Sequence, residues 1–351
     1  MKTYKKLGVL LVLFSFGLMT ALADASGKCG DNVSWKYRTS DKTLVLSGTG
    51  ATSSDSPWSG TFYWVDPQLA PTRWSDSIEY VVVEDGITKL GDKLFLGLTL
   101  AKKVSLPETL TAIGSSVFQG CSSMTDINIP ASVKEIGSFA FSGCTSLKAI
   151  ILPEALKKID GSAFMNCAYL TTLTVEEGNA NYDSRDGCNA VIETATNTLL
   201  AGSLRTVIPA TVESIGYGAF SSRRIVSIDI PSSVKTIGAY AFSDCPNLNY
   251  IYVEWRTPIS IISTVFYSSV FYATPLRTLV VPEGCVEAYK AADVWKDFGQ
   301  IVTATGIKER ALIDSNNVDE VYNLNGVKVS EKTGSLTPGM YIIQGEKVLI
   351  K

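Results

Sequence analysis

"FSGCTSLKAIILP" occupies residues 141–153, and "FQGCSSMTDINIP" occupies residues 118–130, so Phe, Gly, Cys, the apolar letters and Pro recur at one spacing. The closing proline returns at Pro107, Pro130 and Pro153, 23 residues apart, and one more step reaches Glu176 after "LTTLTV". After a longer interval the beat resumes at Pro209, Pro231, Glu254 and Pro282. Apolar residues stand six, three and one before the stop, as in Leu147, Ile150 and Leu152, or Leu248, Ile251 and Val253. The last two lie two apart, which puts them on one face of a short strand.

One short strand per period of 23 predicts a leucine-rich repeat solenoid, a β-dominated α/β fold with a parallel β-sheet of stacked coils. A lone coil buries too little apolar surface to offset the entropy of ordering its chain, so the coils must stack. Proline suits the strand end because it has no N–H for the ladder. The recurring Ile-Gly at residues 113–114, 136–137, 215–216 and 237–238 reads as a turn needing positive φ. Phe95, Phe118, Phe141, Phe164, Phe220 and Phe242 recur once per coil and predict an aromatic spine. Cys121, Cys144, Cys167 and Cys245 hold the slot nine before the stop, where Leu98 also fits. That exchange marks a packing column rather than disulfides.

At this point the sequence resembles the BspA-type leucine-rich repeat surface proteins of bacteria. "AFSGCTSLKAIILP" carries the likeness, with Pro or Glu where an ordinary leucine-rich repeat has Asn. "SGKCGDNVSWKYRTSDKTLVLSGTG", followed by "SPW", resembles the β-unit that opens such proteins, and "LVVPEGCVEAYKAADVWKDF" their closing coil. The resemblance covers residues 26 to about 300. It implies adhesion, since relatives include adhesins that hold host extracellular-matrix and plasma proteins. The tail, "VYNLNGVKV…LTPGMYIIQGEKVLIK", resembles a C-terminal β-domain of exported proteins from Gram-negative gut and oral bacteria. In relatives such tails direct type IX secretion, and a sorting tag and a structural end-piece both stay open.

Four units are expected. Residues 1–25 read as a signal peptide: Lys2, Lys5 and Lys6, an apolar run over residues 7–19, then "ALADA" with small residues for cleavage. Residues 26–76 form an N-terminal β cap, with a hairpin turning at residues 39–41. Residues 77–300 form the repeats, with an enlarged coil at 177–208 reading as strand, turn, strand, and a closing helix at 285–298. Val286, Tyr289, Trp295 and Phe298 fit one face of that helix. Residues 301–351 form a small C-terminal β-domain, with hairpin turns at Asn325-Gly326 and Gln344-Gly345.

The chain holds no histidine, which removes Ser-His-Asp and Cys-His catalysis. No phosphate-cradling loop and no Ca-binding spacing appear, so no enzyme, cofactor or metal site is expected. A formal charge of −3 without a basic run offers nucleic acid little to hold. The expected location is secreted or cell-surface, exported across the inner membrane of a Gram-negative bacterium, with the mode of attachment open.

Residues four and two before each stop should face outward as two lanes. These include Asp126, Asn128, Ile151, Arg205, Val207, Asp229, Tyr250 and Tyr252, read as a protein-binding face. Tyrosine is enriched at interfaces, so Tyr250 and Tyr252 are the expected anchors for an extracellular or host protein. A second reading places a glycan on Trp58, Trp64 and Trp74, whose plainer role is the core of the cap. A third makes the array a structural spacer.

Overall fold

The computed structural model describes residues 24–54, 77–267 and 277–303, together with the backbone of five further strands between Lys308 and Ile350. Of the expected signal peptide, residues 1–23 lie outside the described residues, as do Trp58, Trp64, Trp74 and both expected C-terminal hairpin turns, whereas Ala25 already belongs to strand Ala25–Lys28.

Neighbouring coils pair in parallel, but the strands are divided among several sheets and do not form the one expected. Strands Ala149–Leu152 and Thr172–Val175 pair in parallel, as do Ser227–Ile230, Tyr250–Val253, Thr278–Val281 and Gln300–Thr303. A second parallel ladder joins the short Ile-Gly strands Ile87–Leu90, Ala112–Ile113, Glu135–Ile136 and Lys158–Ile159. Each strand-ending proline accepts from the amide three residues on, as Leu156 donates to Pro153 and Val234 to Pro231, which turns the chain off the ladder.

Between the ladders the core is a set of columns. Phe95, Phe118, Phe141 and Phe164 stack with centroids 5.3–5.5 Å apart. Phe220, Phe242 and Phe266 form a second stack, at 5.2 and 5.6 Å, so the expected spine is in two parts. Beside them every column cysteine is a buried free thiol. Its Sγ–H donates to the carbonyl of the preceding coil's phenylalanine: Cys121 to Phe95, Cys144 to Phe118, Cys167 to Phe141 and Cys245 to Phe220, at 3.1–3.3 Å.

Two local expectations change. The Ile-Gly glycines do not sit at positive φ. Glycine is needed there because the preceding coil runs too close: a Cβ on Gly137 would stand 2.6 Å from the Ser115 amide nitrogen, and one on Gly114 2.8 Å from the Leu90 carbonyl oxygen. Positive φ belongs instead to the residue before each column cysteine: Gly120 and Gly143 at 76° and 74°, Asn166 at 59° and Asp244 at 48°. The closing helix is also shorter than expected. It spans Val286–Ala291, the chain reverses at Val294 (φ 68°), and a 3₁₀ turn follows at Trp295–Asp297. Tyr289, Trp295 and Phe298 are nonetheless buried as a lid, with the Tyr289 hydroxyl on the Trp255 carbonyl and Trp295 Nε1 on the Ile259 carbonyl.

The enlarged coil divides the stack. Ala190–Glu193 and Thr198–Gly202 form the expected antiparallel hairpin, and the second strand joins the Ile-Gly ladder through Ser214–Ile215. On the edge away from Ala149–Leu152, strand Thr172–Val175 meets a side chain instead of a strand. Asn189 Oδ1 accepts from the Leu173 amide while its Nδ2 donates to the Thr171 carbonyl, both at 2.8 Å. In "DSRDG" the Asp183 carboxylate is taken by Arg185 at 2.8 Å.

At the N-terminal end, Val33–Arg38 and Thr43–Gly48 make the expected hairpin, and Thr43–Gly48 pairs in parallel with Tyr80–Val83. The antiparallel hairpin thus merges into the first coil. Beyond residue 303, Val321–Asn323, Lys328–Ser330, Gly339–Ile343 and Glu346–Ile350 pair antiparallel in a separate sheet, with Lys308–Glu309 added in parallel.

Candidate functional site

The outer face of the longer strands is the surface that the repeat builds most regularly. Alternation does this: along Ala149–Leu152, Ile150 and Leu152 are buried while Ile151, between them, is 54% exposed. One coil earlier Asp126 and Asn128 are exposed, and Asp126 bridges to Ala149. These three expected residues therefore lie on neighbouring coils.

A second group gathers Asp229, Tyr250 and Tyr252. Register pairs Asp229 with Tyr252 and Ser227 with Tyr250. The two tyrosine rings lie 6.5 Å apart, nearly parallel. Tyr250 is 37% exposed, whereas Tyr252 is half-buried. Burial, and then the neighbouring Asp229 carboxylate, push the Tyr252 phenol above its ordinary pKa. Asp229, Tyr250 and Tyr252 hold further contacts of their own. Ser227 and Val280, outward by register, are buried.

The two groups do not form one lane. Arg205 and Val207 were expected on a strand between them, and both are exposed, but neither is in a strand. The reason is the hairpin: Thr206 Oγ1 donates to the Asn189 carbonyl and the Val207 amide to Cys188, so this segment follows the enlarged coil instead of the ladder. Val207, at 69%, is the most exposed large apolar side chain described.

The sequence reading passed over three features. Tyr80, exposed and paired in register with Lys103, heads the outer lane. One more step of 23 back from Pro107 to Glu84 would have found it. Val302 occupies the same lane on Gln300–Thr303, opposite Val280. Tyr217, Tyr240 and Tyr267 form an edge-to-face column at 5.6 and 5.8 Å, in the coil segments that carry Phe220, Phe242 and Phe266.

The chemistry of reaction finds little to use. Among the described residues no group of three or more metal-ligating side chains comes together. Burial pushes the Cys121 thiol up to about 12 and the Cys167 thiol up to about 11, far from a nucleophile's range. Among the described residues no helix is long and apolar enough to cross a membrane.

Comparison with known proteins agrees with this geometry. The family model for the BspA type leucine rich repeat region matches six copies, over residues 73–185 and 203–292. A leucine-rich repeat protein from Eubacterium ventriosum is similar in structure at a TM-score of 0.50 and 18% identity, covering 93% of this chain and 100% of its own. A leucine rich cell surface protein from Faecalibacterium prausnitzii gives 0.41 at 18% identity, over 79% of this chain and 94% of its own. A leucine-rich repeat protein from Bacteroides ovatus gives 0.41 at 16%, over 78% and 75%. No curated protein sequence matches the chain. The similar structures come from a mixed set of bacteria and lend the Gram-negative expectation no support.

Proposed function

The chain belongs to the BspA-type leucine-rich repeat family, and on that premise we propose that it is an exported or cell-surface adhesion array whose repeat sheet holds an extracellular or host protein. It is a binding protein and not an enzyme. A role in protein interaction or adhesion is typical of leucine-rich repeat surface proteins. The observation that supports it here is Ile151, an isoleucine standing in water on a strand whose flanking residues are sealed in the core. A strand with one buried face favours polar residues on the other, and a large apolar side chain there gains by meeting a partner. Tyr80 and Tyr250 add aromatic anchors on the same outer lane.

The test is binding of the exported chain to an array of purified extracellular-matrix and plasma proteins, with Ile151→Ser and Tyr250→Ser alongside. The reading expects at least one bound protein whose affinity falls tenfold or more in one variant, with the melting temperature held. Unchanged affinity in both variants, or no bound protein, contradicts it. A parallel glycan array covers the second reading, a glycan on Trp58, Trp64 and Trp74, with Trp58→Ala, and beside it a glycan reading favoured by the Tyr217–Tyr240–Tyr267 column, with Tyr240→Ala: glycan capture lost in either variant supports that reading instead.

A further inference from the structure

The outer face differs in charge between its two ends, and the difference separates its aromatic anchors. At the N-terminal end the cap hairpin and the first coils share one sheet, whose register sets outer-face residues in rows. One row holds Arg38, Tyr80 and Lys103, and the next holds Lys36, Val45 and Val82. At the other end the corresponding rows, through Tyr250 and Tyr252, carry Asp229 as their one charged residue.

The cations around Tyr80 are only partly answered. Arg38 pairs with Asp41 at 2.8 Å. Lys42 and Lys102, which precede the strands on either side of Tyr80–Val83, share the single carboxylate of Glu79. Lys36 and Lys103 are exposed, and among the described residues no carboxylate lies at ion-pair distance from either. Asp24, the acid that Lys36 influences, is already engaged by the Thr39 amide and hydroxyl. A positive excess is left here, in a chain whose formal charge is −3.

Between these cations the surface is apolar. Tyr80 is 42% exposed, and Val45 and Val82 are half-buried on the same face. Lys36 and Lys103 stand three strand steps apart, roughly 14 Å, which about four or five extended residues would span. A segment with carboxylates towards both ends and apolar side chains between them meets both ammoniums and covers Tyr80 and the valines. A sulfated glycan would answer the charge but brings no apolar side chain to the valines. Complementary charge gives such a contact specificity, and screening makes it sensitive to salt.

Resting on the reading of the outer lane as a protein-binding face, we propose that the array grips its partner at the Tyr80 end. The gripped element is an acidic, extended segment of that protein, laid across Lys36, Tyr80 and Lys103. Asp229 disfavours the same segment at the far end, so charge also sets the partner's place along the array.

The test uses the exported full chain and two bead-immobilised peptides, a tyrosine–valine pair flanked on both sides by two glutamates or by two lysines. Capture on the glutamate peptide is expected to be at least tenfold tighter than on the lysine peptide, and to weaken tenfold or more in high salt. The double variant Lys36→Glu with Lys103→Glu, and Tyr80→Ser alone, should each lower it tenfold or more with the melting temperature held. Lys157→Glu, an exposed charge reversal beside the Ile-Gly ladder, should leave it within twofold. Equal capture of both peptides, no capture of the glutamate peptide, or equal loss in Lys157→Glu and the double variant overturns the proposal. Heparin bound in place of the glutamate peptide, or a dimer of the free chain that the double variant dissolves, overturns it too. Failure here is distinct from failure of the adhesion reading. A matrix or plasma protein lost in Ile151→Ser but held equally by the double variant keeps that reading and removes this one.

Discussion

Arg223 Nη2 donates to the Phe164 carbonyl oxygen at 2.9 Å, across 59 residues of chain. This is the bond that column thiols make elsewhere, carried over the enlarged coil by a longer side chain. Arg223 Nε also reaches the Gly202 carbonyl at 2.9 Å and Nη1 the Ser221 carbonyl at 3.4 Å. The guanidinium is fully buried, and no carboxylate pairs with it among the described residues. Burial lowers its pKa from the ordinary value, yet an arginine stays charged and three carbonyl dipoles answer it.

Arg223→Leu should therefore be costly. It removes a desolvated charge, but it orphans buried carbonyls worth about 1–3 kcal/mol each. A loss of about 3 kcal/mol is expected in chemical denaturation, with Arg223→Lys little better because one ammonium cannot serve all three acceptors. Midpoints unchanged in both variants would remove Arg223 from the join between the two halves of the core.

The aromatic spine makes a second prediction. Phe141 is buried between Phe118 and Phe164 at 5.3 and 5.5 Å. Phe141→Ala should cost about 3–5 kcal/mol by transfer and cavity terms. Phe141→Leu, which keeps most of the volume, should cost about half as much. Equal losses from the two would show that stacking is not volume-limited.

How far the sequence carried this account depends on the regularity of each residue's position. The cysteine column was legible because each member sits nine before its stop, and the phenylalanine column because all but Phe220 sit twelve before theirs, so one coil explains the next. Arg223 was not, since the step from Pro209 to Pro231 is 22 and the slot nine before the stop reads Ser222. Ile151 was legible by alternation. Arg205 and Val207 were placed on a strand because their spacing fits, but Asn189 and Thr206 consume the backbone groups that a strand would need. In the Tyr217–Tyr240–Tyr267 column, Tyr217 and Tyr240 stand 14 before their stops, but Tyr267 stands 15 before Pro282 and 27 after Tyr240, so the third member falls off the beat.

The thiol column predicts inertness. Thiolate is the reactive form, and burial holds Cys121 near 12 and raises Cys144 well above its ordinary value. Alkylation of the native exported protein at pH 8, read by mass spectrometry, should leave Cys121, Cys144, Cys167 and Cys245 unmodified, and all four should react after denaturation. A Cys121–Cys144 disulfide peptide would contradict the packing column.

Acid acts on the first coil. Glu79 accepts from Lys102 and Lys42, and these hydrogen bonds, Lys102's first, pull its carboxyl down to about 2 from an ordinary 4.5. A depressed pKa contributes stability that is present above the unfolded value and is lost as pH falls through about 2. The gap in melting temperature between wild type and Glu79→Gln should narrow over that window and shrink in high salt. Parallel curves from pH 5 to pH 2 would show that the pair adds nothing.

Which wall of the array meets its partner can be read directly from side-chain exposure. Hydroxyl-radical footprinting of the exported chain, free and saturated with a captured matrix or plasma protein, reports Tyr80, Ile151 and Tyr250 on the outer lane and Tyr217 and Tyr267 on the tyrosine column. The account predicts that binding protects Ile151 with Tyr80 or Tyr250 and leaves Tyr217 and Tyr267 as reactive as before. Protection of Tyr217 and Tyr267 with the outer lane unchanged would contradict it.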